Sequence, residues 1–155
     1  MSFRITGLPA ALFRPLYGLS DAALLARGVR RCVADRQPGF PDRIELRDAA
    51  PGETLLLLNF MHQPAANPYR ASHAIFVSEG AECTWDRIDE VPALLRSRLL
   101  SVRAFDADDL MIDADVVDGA ALETLIERSF ADRRAAYLHL HYARRGCYAA
   151  RVERA

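Results

Sequence analysis

The segment AYLHLHYARRGCYAARVER, residues 136–154, constrains this chain more than any other stretch. Apolar and polar side chains alternate from Tyr137 to Ala143. That is the period of a strand with one face toward a core. Leu138, Leu140 and Tyr142 share one face, and Tyr137, His139 and His141 share the other. Arg144, Arg145 and Gly146 form a three-residue turn whose glycine suits a left-handed last position. The two strands therefore close as a hairpin. The implied register pairs Ala143 with Cys147, His141 with Ala149, His139 with Arg151 and Tyr137 with Glu153. It sends Tyr148, Ala150 and Val152 to the leucine face, leaving polar chemistry on the other.

The rest of the chain supplies partners for this hairpin. FRIT, VRRCVAD, Ile44–Leu46, ETLLLLNFM, HAIFV, Leu99–Phe105 and Leu110–Val117 read as strands. PAALFRPLY and SDAALLARG read as short helices, the second capped by Ser20 and ended by Gly28. VPALLRS reads as a third, with Pro92 in its first turn. Asp118 caps a longer helix through Phe130, with Leu122, Leu125, Ile126 and Phe130 on one face. The strands before and after that helix are expected to run parallel, as in a crossover unit. Asp106–Asp109 is turn chemistry, and HQPAANPYRAS is too long for a tight hairpin turn. With no repeat and no low-complexity linker, residues 1–155 read as a single α+β domain. Its architecture is a mixed, mostly antiparallel sheet with a few short helices packed against it.

Composition removes several classes of function. The net charge of −1 and the lack of a basic aromatic stripe argue against nucleic acid. Apolar runs such as Leu55–Leu58 are too short to cross a bilayer, and the first residues lack a signal-peptide pattern. Cys32, Cys83 and Cys147 are odd in number and form no Cys-x-x-Cys pair, which suits a reducing cytoplasm. FDADDLMIDAD is rich in aspartate but lacks the EF-hand spacing and its glycine.

Three readings compete for the polar face of the hairpin. In the first, His139 and His141 ligate one ion, with a third ligand from His73, His62, Asp113 or Asp115. Two spaced histidines do not define the remaining ligands, so no metal is assigned and the cofactor stays open. In the second, Cys147 lies diagonally across from His141, with Arg144 or Arg145 nearby. Cys147 with His139 or His141 would then serve a hydrolase or transferase. The leading reading is a pocket for a small polar or anionic molecule. It is built from Tyr69, Arg70, Ser72 and His73 of the long loop facing His139 and Arg151. Arg70 should then point toward His139 and Arg151. A local Arg151–Glu153 ion pair is the plainer alternative, and a purely structural or protein-interaction role stands beside ligand binding and the Cys147 enzyme. The terminal strand, Cys147–Glu153, is a candidate sheet edge, and a homodimer is an expectation on that basis.

Several segments, taken as a set, resemble one bacterial family. They are FRITGL, PGFPDRIELRDAAPGETLLLLNF, NPYRASHAIFV, VRAFDADDLMIDADVVDG and HLHYARRGCYAARVER, which are spread over nearly the whole length of the chain. The family is known as domain of unknown function 1203. The resemblance implies a small stand-alone protein of the cytoplasm and carries no activity with it. It also implies that this chain departs from the common pattern at Asp42, His73 and His141. A metal set or a Cys147–His141 pair would then not be a shared device of the family. His139, Cys147, Tyr69, Arg70 and Arg151 would be the better site candidates.

Overall fold

A computed structural model describes residues 1–155. Nine strands divide between two sheets. The larger contains β1 (Phe3–Thr6), β5 (Asp86–Ile88), β6 (Leu99–Phe105), β7 (Met111–Asp118), β8 (Tyr137–Tyr142) and β9 (Tyr148–Arg154). Its order is β5-β1-β9-β8-β6-β7. The smaller contains β2 (Arg30–Val33), β3 (Thr54–Gln63) and β4 (Ala71–Ser78), in that order. Every ladder is antiparallel, and the one parallel pairing is an isolated bridge between Asp42 and Phe76. The α+β class read from the sequence is the class of the structure, with its strands parted between two sheets.

The helices are short. α1 (Asp21–Leu25) starts at Ser20, whose hydroxyl accepts from Ala23 N at 3.1 Å. α2 (Ala93–Arg96) follows Pro92, which stands at its N-cap. α3 (Leu122–Ala131) is preceded by a 3-10 turn, Gly119–Ala121, capped by Asp118. Leu122, Leu125, Ile126 and Phe130 join Leu94 and Leu95 of α2 against the leucine face of the large sheet. The sheet contributes Leu100, Val102, Leu138, Leu140, Ala150 and Val152 to that core. PAALFRPLY forms two 3-10 turns rather than one helix. Pro15 stands in the second of them, where it supplies no amide hydrogen. Phe13 and Leu24 pack there with Leu56, Leu58, Ile75 and Val77 of the small sheet, and Tyr148 reaches this second core from β9.

Two expectations about the strands are corrected. Ile44–Leu46 is not a strand, because Leu46 takes a left-handed φ of 51°. The segment instead presses its backbone against the exit of β1, where Leu8 N donates to Arg43 O at 2.7 Å. Gly7 permits the approach, since a Cβ there would fall 2.2 Å from Ile44 O. Second, β9 lies between β1 and β8, so the terminal strand is not an edge. The dimer expectation loses the strand on which it rested. The strands on either side of α3 run parallel as expected, with β6 between β7 and β8 and antiparallel to both.

Candidate metal centre

All six residues of β8 are buried. An antiparallel strand with one polar face usually turns that face to water, so the histidine face needs a cover. The far end of β3 provides it. Leu56 and Leu58 face the second core, and His62 continues the same alternation. Between Phe60 and Gln63 the β3–β4 register shifts. Such a bulge re-aims side chains. Gln63 is buried there as well and donates Nε2–H to the Tyr137 hydroxyl at 2.8 Å.

A second register shift, between Leu140 and His141, acts from the other side. His139 faces Arg151 and Leu140 faces Ala150, as alternation predicts, but His141 faces Tyr148 instead of Ala149. Tyr148 therefore joins the histidine face, not the leucine face. Its ring stacks on His62, with centroids 5.3 Å apart and planes 9° from parallel. His62 in turn meets His141 edge-on at 4.9 Å and His139 at 6.0 Å.

One ring nitrogen from each of His62, His139 and His141 lies within 4.8 Å of the other two. His139 and His141 are 3% and 1% exposed. His62 Nδ1, His139 Nδ1 and His141 Nε2 are buried with no hydrogen-bond partner. His141 Nδ1 lies 2.9 Å from Gly146 O. A carbonyl only accepts, so Nδ1 carries the hydrogen and Nε2 holds a free lone pair. This is the outer contact that orients a ligating histidine. Burial is the largest cause holding the three imidazoles neutral, pushed down to about 4 for His62, 2 for His139 and 3 for His141. Arg103 works in the same direction on all three. Neutral imidazole is the form that binds metal. Leaving a buried polar atom unpaired costs about 1–3 kcal/mol, and each of the three imidazoles carries one such atom. Nitrogens on a tetrahedral zinc stand about 3.3 Å apart.

The other residues singled out from the sequence lie elsewhere. Asp113 and Asp115 pair with Ala104 and Val102, which puts them on the helix side of the sheet. Asp115 bonds Arg128 of α3, so neither aspartate is a third ligand. His73 is half-exposed, and its Nδ1 lies 3.2 Å from Ala74 O. Cys147 belongs to the leucine core, where its Sγ accepts from Arg43 Nη2 at 3.1 Å. No Cys147–His141 pair forms, because His141 turns to Gly146 O on the opposite face. Arg151 is bonded to Glu153 at 2.9 Å and stacks 3.8 Å over the Tyr137 ring. The plainer alternative is the one realised there.

The 64–70 connection does meet the sheet, through Asn67, which donates to Asp109 O at 2.9 Å, and Tyr69, whose ring stands edge-on to Phe105. Arg70 does not point inward. It is exposed and donates Nη1–H to Pro64 O at 2.6 Å, which satisfies it within its own loop. Ser72 is exposed too. An open cleft of ≈ 860 Å³ lies well apart from these residues, lined in part by Glu45, Arg47, Asp48, Trp85 and Leu94. Its charges pair internally or with neighbours, as Arg47 with Glu45 and Glu53, and Asp48 with Arg98.

Gln63, Arg103 and Tyr148 are part of this seam and were not singled out by pattern. Only a bulge brings Gln63 and Tyr148 to it, and single-residue bulges leave no periodic trace. No curated protein and no solved structure matches the chain. No helix is long and apolar enough to cross a membrane. The family model described as "Protein of unknown function (DUF1203)" matches residues 39–154, a span that holds all three histidines, the bulged end of β3 and the whole last hairpin, and the chain belongs to that family.

Proposed function

We propose that this protein holds one divalent transition-metal ion on His62, His139 and His141 and binds a small polar or anionic molecule at the remaining coordination position. The observation that carries this reading is the convergence of three imidazoles, each of which keeps one buried nitrogen with no hydrogen-bond partner. Imidazole nitrogen suits zinc, copper, nickel and iron, and three protein ligands with one open position is the pattern of a reactive zinc. A metal so held lowers the pKa of bound water toward 7, so hydrolysis is the enzymatic extension of the same site. The proposal concerns this chain's own residues and not the family as a whole. It sets the protein in a reducing cytoplasm, which three unpaired cysteines support.

The test is binding of Zn²⁺ or Co²⁺ to chelator-treated protein, compared with His139→Leu. One equivalent per chain should bind, and the variant should lose affinity by more than about 100-fold, since even outer-shell changes cost 10–100-fold. Equal binding by both proteins overturns the proposal.

A further inference from the structure

We infer that the open side of the three-histidine centre takes a small oxyanion, and that Arg103 is the residue that selects it. The inference rests on the metal reading above and adds the chemical class of the ligand.

Arg103 lies directly across from His139 in the β6–β8 ladder, so both side chains leave the same face. Its Nε lies 3.4 Å from the hydroxyl of Ser101, which in turn faces His141. The side chain therefore runs along the sheet from the row of one histidine toward the row of the other. It is only partly exposed, and no carboxylate lies within ion-pair distance of it. That separates it from the other arginine of the seam, Arg151, whose charge is met by Glu153.

Two guanidiniums border the centre, Arg103 across from His139 in the β6–β8 ladder and Arg151 across from it in the β8–β9 ladder, and of the two only Arg151 has a carboxylate partner, Glu153. Three neutral imidazoles would leave a bound divalent ion with its full charge. Beside it stands a guanidinium without a counter-ion. Two such charges in a partly desolvated seam repel unless an anion lies between them. The guanidinium is planar and offers paired N–H donors that match two oxygens of a carboxylate or phosphate. An oxyanion with one oxygen on the metal and another on Arg103 satisfies both.

The experiment uses Co²⁺-loaded protein and Arg103→Gln, with sodium acetate and inorganic phosphate as probes and acetamide as the neutral control. Both proteins should bind one equivalent of Co²⁺. Acetate or phosphate should shift the visible Co²⁺ spectrum of the unaltered protein, and Arg103→Gln should weaken that effect about ten- to a hundred-fold, the worth of a charge-assisted contact. Acetamide should not distinguish the two proteins. The tighter of the two anions tells a planar carboxylate from a tetrahedral phosphate ligand. Equal anion affinity in both proteins, or no spectral response to either anion, overturns the inference and leaves the metal site standing. Failure of the unaltered protein to bind Co²⁺ overturns both.

Discussion

The last hairpin buries polar groups on both of its faces and treats them in opposite ways. Near the turn, on the leucine side, the Arg43 guanidinium is 1% exposed and has no carboxylate partner. Each of its three nitrogens nonetheless donates a hydrogen bond. Nε donates to Tyr148 O at 2.9 Å, Nη1 to Pro41 O at 2.6 Å and Nη2 to Cys147 Sγ at 3.1 Å. The Tyr142 ring lies 5.0 Å beneath it, and only the Tyr142 hydroxyl is left over. On the other side, three imidazoles converge and each keeps a buried nitrogen unpaired. A polar group buried for structure is met by the chain's own acceptors. A cluster left unmet at one point has room for a partner that the chain does not supply. The Arg43 cluster therefore reads as a clamp between the 41–47 segment and the hairpin, and the histidine cluster as a receptor.

The largest effect expected from this contrast is at Arg43. Arg43→Ala removes three donated bonds, strands their acceptors and leaves a cavity, so unfolding by urea should show a loss of about 3–5 kcal/mol. A loss under about 1 kcal/mol would mean that the cluster is not a clamp. The histidine side should respond in the opposite sense. In metal-free protein, His139→Leu trades an unpaired polar ring for an apolar side chain in a packed seam, and should cost under about 1.5 kcal/mol or stabilise. A much larger loss would show that His139 is held by contacts its nitrogens do not make. The smallest effect is at Arg70, which touches neither region. Arg70→Ala should change stability by no more than about 0.5 kcal/mol and leave Co²⁺ affinity unchanged. A weakened metal site in that variant would return the loop to the functional picture.

Much of the fold was legible because its signals are local. Alternation over Tyr137–Tyr142, the Arg144-Arg145-Gly146 turn, the Ser20 cap and the apolar stripe of α3 each arise within a few residues. His139 facing Arg151 follows from the same alternation. The missed strand β5 is three residues long and leaves no period to read. Arg70 misled for a different reason. A loop restricted by Pro64 and Pro68 can present a side chain in any direction, and its guanidinium turned to a carbonyl of its own loop, that of Pro64.

The candidate site was legible only by half. Sequence alone determined that His139 and His141 leave one strand on the same side, because successive side chains of a strand must alternate. It also determined that this side is chemically unlike the leucine side. Which element would cover the histidines was decided by tertiary structure. The small sheet's longest strand extends to Gln63, far enough to bring His62 onto the seam from nearly eighty positions earlier in the chain. Two bulges then settled the details, bringing Gln63 and Tyr148 onto that face and leaving Cys147 to the opposite core. A one-residue slip reverses every side chain beyond it. The energy that sets such a slip comes from packing two sheets together, which no local pattern contains.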